Sequence, residues 1–153
     1  MNEGTQLKQE LLAHARENTE ASITTARGAL DRLTESLANE TKSSAGDKFE
    51  TGRAMVHMEQ QKLGEQLVKL GQTRQAIDRI SAKSPTGIVS EGSLVATNRG
   101  LYLVGIGLGK VRLNGRVIFC TSLESPIGRL LLGREVGEEF TFNELDFVVL
   151  GVT

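Results

Sequence analysis

The sequence predicts an α+β protein in which an antiparallel coiled-coil hairpin, residues 1–83, precedes a small antiparallel β domain with one short helix, residues 84–153. The first indication is an abrupt change of composition at Ser84-Pro85. The chain before this point is poor in glycine and carries apolar residues at coiled-coil spacing, which is typical of paired helices. The chain after it contains short β-branched runs separated by glycine, which is typical of strands joined by turns.

The first helix is expected to run from Thr5 to Leu37. Thr5 is a suitable N-cap, because its side-chain oxygen can accept a hydrogen bond from a free amide of the first turn. Apolar residues farther along alternate in spacings of three and four, as in a coiled-coil seam. They are Ile23, Ala26, Leu30, Leu33 and Leu37. The same spacing extended backwards meets Arg16 and Thr19, so we expect the first part of the helix to pack loosely or against the second domain.

The second helix is expected to run from Asp47 to Ser81. Apolar residues recur in it every seven positions, and Leu67 fills an intermediate seam position. The repeating residues are Phe49, Val56, Leu63, Leu70 and Ile77, and the polar interruptions of the seam are Arg53, Gln60 and Arg74. Two helices of this length joined by a short polar turn should pack antiparallel and form a rod of roughly 50 Å.

Residues 39–50 interrupt both helical patterns and are expected to form the tip of the hairpin. Their Asn, Thr, Ser and Asp side chains compete for backbone hydrogen bonds and favour turns and caps. Ser44 or Asp47 could cap the second helix beside Gly46. The charged residues at or next to the tip are the first candidates for function. They are Glu40, Lys42, Asp47, Lys48, Glu50 and Arg53.

The β domain is expected to contain five strands and one short helix. The strands are predicted at Leu94–Thr97, Leu101–Gly105, Arg116–Cys120, Glu139–Phe142 and Phe147–Val152. Asn98-Arg99-Gly100 and Leu113-Asn114-Gly115 carry the Asn and Gly signals of tight turns. Within Ser125–Gly133, Pro126 suits the first turn of a helix and Gly133 suits its C-terminal cap. Gly105, Gly107 and Gly109 lack the spacing of a nucleotide-binding loop and are expected to form a surface loop.

Composition excludes several classes of protein. The net charge of −1 argues against coating DNA or RNA through bulk electrostatics, although it permits docking onto a nucleic-acid machine through protein contacts. The sequence has no apolar stretch of bilayer length, and Met1–Gly4 lacks the basic and apolar regions of a signal peptide. Cys120 is the single cysteine and cannot form an internal disulfide. These features predict a cytoplasmic protein that does not associate with membranes.

Catalysis or metal binding by cysteine and histidine is not favoured. Cys120 belongs to a predicted strand, whereas His14 and His57 belong to the predicted hairpin, so no base is expected beside the thiol. The spacings typical of Cys and His metal ligands are also missing. Acidic tip residues are stronger candidates, because Mg²⁺ takes oxygen ligands and can be shared with another protein. The alternative is that these acids form weak surface pairs with Lys42, Lys48 and Arg53.

The segment Ser125–Glu139, which reads SPIGRLLLGREVGEE, resembles the signature of the GreA/GreB transcript cleavage factors. The order of a helical hairpin followed by this domain also resembles that family. The resemblance covers nearly the whole chain in architecture and is strongest over about residues 92–152. It implies an FKBP-like C-terminal domain that docks on bacterial RNA polymerase at the rim of its secondary channel. The docking residues implied are Ser125, Pro126, Ile127, Arg129 and Leu130.

The resemblance further implies that the coiled coil enters the channel of the transcribing, DNA-bound polymerase. Tip carboxylates would there help to hold a second Mg²⁺, and the polymerase would cleave a backtracked transcript. The protein would not be an enzyme by itself and would have no cofactor of its own. Prolyl isomerase activity does not follow from the fold label.

The tip departs from the family pattern of two acids three residues apart. If Phe49 is matched to the aromatic residue of that pattern, the acidic positions become Lys42 and Ala45. Asp47 and Glu50, followed by Glu40, are then the candidates for Mg²⁺ ligands within the polymerase complex.

Tip cations could also contact polymerase acids or phosphates of nascent RNA. Two other hypotheses remain open. The protein could bind the polymerase and block the channel without promoting cleavage. The hairpin could instead mediate self-association, although a monomer is expected.

Overall fold

The computed structural model describes residues 3–40 and 47–153, and it describes the side chains of these residues apart from 40 and 47–51. The chain forms a helical hairpin followed by a six-stranded sheet with one short helix, which confirms the α+β class. The elements are α1 (Glu3–Glu40), α2 (Asp47–Ser81), β1 (Leu94–Thr97), β2 (Gly100–Val104), β3 (Gly109–Leu113), β4 (Arg116–Thr121), α3 (Pro126–Leu131), β5 (Glu139–Phe142) and β6 (Leu145–Val152). No described helix has a segment both long and apolar enough to cross a membrane.

Contacts between residues divide the chain into two compact units. The hairpin unit consists of Arg16–Gln75, and the β unit consists of Met1–Ala15 together with Ala76–Thr153. The sequence division at residue 84 thus differs from the division by contacts, because the first turns of α1 and the last turns of α2 share a core with the sheet.

In the hairpin unit, α1 and α2 lie antiparallel. Arg74 Nη1 lies 3.6 Å from Glu20 Oε1, and Gln60 Nε2 donates a hydrogen bond of 3.3 Å to Thr34 Oγ1. Residue numbers therefore rise along one helix as they fall along the other. The seam contains fully buried and half-buried residues. The buried ones are Thr19, Ile23 and Ala26, and the half-buried ones include Leu30, Leu33, Leu37, Val56, Leu63, Leu67 and Leu70.

The sheet of the β unit has the strand order β3-β4-β2-β1-β6-β5. All neighbouring strands are antiparallel except β2 and β4, which run parallel with Tyr102 opposite Phe119. The sheet is thus mostly antiparallel, as the sequence predicts, with this pair as the exception. The parallel pairing arises because β3, at the edge, turns back through Asn114 and Gly115 so that β4 enters between β3 and β2. Both turn residues have positive φ, as the predicted Asn-Gly turn requires.

Strand β3 is the one element that the sequence prediction missed. Gly105 and Gly107 lie between strands as expected, but Gly109 begins β3. The strand is short, glycine-led and charged, with Lys110 and Arg112 on its exposed side, which is common for an edge strand. Its extended conformation is stabilised by pairing with β4, which local composition could not indicate.

One face of the sheet, the first face, packs against the helices. Leu7, Leu11 and Leu12 of α1 join Ile77 and Ile80 of α2 in a core with residues of β1, β2 and β4. The first part of α1 therefore packs against the sheet, and not loosely. The seam extended backwards from the sequence falls on Arg16 and Thr19. In the structure, Thr19 is buried as this spacing predicts, but Ala15 is buried where Arg16 was expected. The buried side of α1 therefore shifts by one residue at this point.

The opposite face of the sheet, the second face, carries a separate core. Helix α3 contributes Ile127 and Leu131, and the strands contribute Val95, Val104 and Val149. Phe140 and Phe147 stack with their ring centroids 5.0 Å apart in the same core. This arrangement places the predicted docking segment on the second face.

Candidate functional site

Helix α3 owes its geometry to the Ser-Pro pair at its start. Ser125 is the N-cap, and its Oγ accepts a hydrogen bond of 3.1 Å from the amide of Gly128. The same hydroxyl donates to the carbonyl oxygen of Ser122 at 2.8 Å. Pro126 occupies the first helical position, where its missing amide hydrogen would have no partner in the helix. The segment that resembles the Gre signature is therefore a capped helix.

The five predicted docking residues differ in their access to solvent. Pro126 and Arg129 are exposed, whereas Ser125 and Leu130 are half-buried. Ile127 is only 9% exposed and belongs to the core of the second face. Its role is thus to anchor α3 on the sheet, and the surface of the helix is presented mainly by Pro126 and Arg129.

Two apolar residues of the segment that follows α3 are also exposed. Leu132 is 47% exposed and Val136 is 61% exposed. The connecting chain is held in place because the amide of Gly133 donates to Val89 O at 2.8 Å and the amide of Val89 donates to Arg134 O at 2.9 Å. The surface formed by Pro126, Arg129, Leu132 and Val136 is called the α3 surface below.

The predicted tip residues fall mostly outside the described part of the chain. Lys42 lies between the described segments, and the structure gives only the backbone for Glu40, Asp47, Lys48 and Glu50. The proximity of Glu40, Asp47 and Glu50 therefore remains a prediction from the sequence.

Among the candidate functional residues at or next to the tip, Arg53 has a side chain that the structure describes. Its Nε donates to Nε2 of His57 at 3.4 Å, and Nδ1 of His57 lies 3.2 Å from Oε1 of Gln60. Gln60 in turn donates to Thr34 on the other helix. Nε2 of His57 thus faces Arg53 while its Nδ1 faces Gln60. Arg53 is thus held by its Nε while its terminal nitrogens have no hydrogen bond among the described side chains.

Cys120 is unsuited to nucleophilic catalysis. The side chain is 2% exposed and lies in the core of the first face. Burial raises the pKa of its thiol to about 11, so the reactive thiolate is scarce near neutral pH. Outside residues 1–2 and 40–51, no group of three or more His, Cys, Asp or Glu side chains could hold a metal ion.

A cluster of charges ties the end of α2 to the loop before β1. Glu91 accepts hydrogen bonds from Arg79 Nε at 3.2 Å and from Arg79 Nη2 at 3.3 Å. Lys83 Nζ lies 3.6 Å from the same carboxylate. The hydrogen bond from Arg79 is the main cause that lowers the pKa of Glu91. Because the single carboxylate of Glu91 binds both cations and the cluster sits beside the buried Ile80, its role is structural.

The β unit also contains an open cleft of about 270 Å³ between the start of α1 and the β3–β4 turn. Its charged groups are already paired, since Arg116 binds Glu3 and Asn114 binds Glu10. The cleft is lined by Glu3, Gln6, Leu7, Glu10, Asn114 and Arg116. These internal contacts fasten α1 to the sheet and engage the charged side chains that line the cleft.

Sequence reasoning missed a group of residues on the second face of the sheet. Tyr102 and Phe119 stack there with ring centroids 5.2 Å apart, and Arg99 lies over the ring of Phe147 at 5.8 Å. Lys110 and Arg112 extend the same face at the β3 edge. A sequence signal was present: residues 92–123 contain four cations and no acid.

Comparisons with models of known protein families, with curated proteins and with solved structures find no match to this chain. The proposed function therefore rests on the Ser125–Glu139 segment and on the geometry of its residues.

Proposed function

We propose that the protein is a Gre-like regulator of transcription elongation that binds bacterial RNA polymerase at its secondary channel in the cytoplasm. The observation that carries the proposal is that the Gre-like segment forms a capped helix in a β unit that follows a long helical hairpin. Ser125 and Pro126 make the cap and first turn, and Ile127 and Leu131 anchor the helix. These four positions build and anchor the helix, while the exposed Pro126 and Arg129 are accessible for contacts.

The α3 surface is the proposed docking site on the polymerase. Arg129 supplies an exposed guanidinium that can form a bidentate pair with a carboxylate. Leu132 and Val136, in the segment after α3, add exposed apolar area. A charged anchor with apolar neighbours is typical of a protein interface.

The tip of the hairpin is the proposed effector part. Asp47 and Glu50, with Glu40 as a further candidate, would supply oxygen ligands to a Mg²⁺ shared with the polymerase. Such an ion would stabilise the attacking and leaving oxygens during transcript cleavage. The tip cations Lys42, Lys48 and Arg53 would contact polymerase acids or nascent RNA phosphates. The protein itself would remain a factor that acts through the active site of the polymerase.

Two measurements test this proposal. Purified bacterial RNA polymerase should retain the protein in a pull-down at low salt, and no retention at micromolar protein would refute the partner. A backtracked elongation complex should then release a short RNA when the protein is added with Mg²⁺. Asp47→Ala combined with Glu50→Ala should abolish this release while polymerase binding is kept. Unchanged release by the double variant would remove the tip assignment.

A channel-blocking modulator without cleavage activity is the second candidate function. The observation that favours it is that Lys42 and Ala45 occupy the positions matched to the acids of the Gre tip. This candidate predicts slower nucleotide addition by the polymerase and no released oligonucleotide. Sedimentation separates both functions from self-association of the hairpin, for which exposed Met55, Met58 and Val68 on α2 could provide contacts. A stable dimer without polymerase affinity would favour self-association.

A further inference from the structure

The second face of the sheet is only partly covered. Under α3 its residues are buried, as for Val95, Val104 and Val149. Toward β3 the cover ends, because Tyr102 and Phe119 are half-buried and Lys110 and Arg112 are exposed. This part of the face, formed by Tyr102, Phe119, Lys110 and Arg112, is called the open face below.

Strand pairing places these four residues side by side. Tyr102 is opposite Phe119 in the parallel β2–β4 pair, and Phe119 is opposite Lys110 in the β3–β4 pair. Arg112 is two residues beyond Lys110 on the same side of β3, since Val111 between them packs on the first core. The result is a row across three strands that passes from a stacked aromatic pair to two cations.

The charged side chains of the open face, Lys110 and Arg112, are both cations. Among the described side chains, neither Lys110 nor Arg112 forms an ion pair. Arg99 lies at the aromatic end of the row over Phe147, and its charge opposes the rise that burial causes in the pKa of Tyr102. Since residues 92–123 contain no acid, a polyanion would meet no repulsion from these strands.

We propose that the open face binds single-stranded nucleic acid, with bases stacking on Tyr102 and Phe119 and phosphates contacting Lys110 and Arg112. Aromatic side chains on a sheet beside cations provide the two interactions that single strands require. A duplex offers its phosphates but keeps its bases stacked inside, so the aromatic pair favours a single strand. An acidic polypeptide would use the cations alone and would leave the rings without a partner. This binding site is independent of the proposed polymerase contact.

Fluorescence anisotropy with the full chain and a labelled oligouridine of about 12 nucleotides tests the proposal without polymerase. Oligouridine is suitable because it forms little secondary structure. We expect saturable binding with a Kd below about 100 µM at low salt. An unlabelled duplex of the same length should compete at least about tenfold less well. No saturation in this range, or equal competition by the duplex, would overturn the proposal.

Variants assign the binding to the open face. Lys110→Gln with Arg112→Gln should weaken binding about tenfold and reduce the slope of log K against log salt by about 1.4, as expected for two lost phosphate contacts. Phe119→Leu keeps an apolar side chain and should weaken binding about 5- to 100-fold with the slope unchanged. Lys62→Gln with Lys69→Gln removes the same charge from exposed positions of α2 and should leave binding unchanged.

Three outcomes would contradict the assignment. An equal loss in the α2 control would show that net charge alone drives binding. Unchanged binding by the Lys110 and Arg112 double variant would place the site elsewhere. This variant remains decisive if Phe119→Leu fails to fold, because Lys110 and Arg112 are exposed and their substitution should not disturb the core. Tighter binding of polyglutamate than of oligouridine would identify an acidic polypeptide as the occupant.

Discussion

Gly128 lies directly against the carbonyl oxygen of Ser122, so that a Cβ atom added to Gly128 would be 2.1 Å from that oxygen. Ser125 stands between the two and contacts both, since its hydroxyl donates to Ser122 and accepts from Gly128. The close approach lets α3 begin immediately after β4 and settle on the sheet. The α3 surface therefore depends on a residue without a side chain.

Gly128→Ala should lower the free energy of unfolding by about 1–3 kcal/mol, because the backbone of α3 must shift to relieve the contact. Urea denaturation followed by fluorescence of Tyr102, the single tyrosine, measures the effect in the β unit. Gly71→Ala is the matched control, since an added Cβ there has no neighbour within 4 Å. It lies in the hairpin unit, where it should be stabilising by about 0.5–1 kcal/mol, and it should not lower the stability that Tyr102 reports. A neutral Gly128→Ala would contradict the close packing of α3.

Glu91→Gln should reduce thermal stability in a pH-dependent manner. Arg79 lowers the pKa of Glu91 from its ordinary value of 4.5, so the folded state favours the ionised carboxylate. The stabilisation is therefore present above that value and is lost as the pH falls through the lower pKa of the folded state. We expect a decrease in Tm of at most about 4 °C near neutral pH.

The difference in Tm between the wild type and Glu91→Gln should shrink as the pH falls below 4.5 and should vanish once Glu91 is protonated in the folded state. Glu59→Gln, at an exposed position of α2, is the control for removal of one negative charge. A difference in Tm that persists unchanged in acid would show that the ion pair is not its cause.

Cys120 should resist thiol reagents in the folded protein. Burial both hides the sulfur and raises its pKa to about 11. Labelling with a disulfide reagent at about pH 8 should be at least about 100-fold slower than in concentrated guanidinium chloride. The ratio of the two rates, read by absorbance, is the measurement. Rapid labelling of the folded chain would contradict the burial of this residue.

Arg129→Glu should weaken binding to RNA polymerase by about tenfold or more, since it reverses the exposed charge of the α3 surface. Surface plasmon resonance with immobilised polymerase measures the change. Arg112→Glu makes the same substitution on β3 and should leave polymerase affinity within about twofold. Equal losses of polymerase affinity in the two variants would argue against a docking site at α3. Circular dichroism checks that each variant is folded.

The helices were predicted with little error because their signals are local. Heptad spacing places α2 close to its observed bounds, and α1 extends from the expected Thr5–Leu37 to Glu3–Glu40. Thr5 therefore lies inside α1, and the prediction that it is the N-cap is wrong. The candidate site was predicted less completely. Ile127 was expected at a docking surface but is buried, because a motif does not reveal which of its members anchor the helix.

The boundaries of the hairpin, the turns and most strands follow from interactions between residues that are near in sequence. Strand β3, the parallel β2–β4 pair and the open face depend on pairing between segments that are distant in sequence. Val111 and Leu113 acquire a buried side only when β4 lies beside them, and Tyr102 meets Phe119 only through the parallel register. Such contacts form only when the chain folds around a shared core, so local composition and periodicity do not predict them.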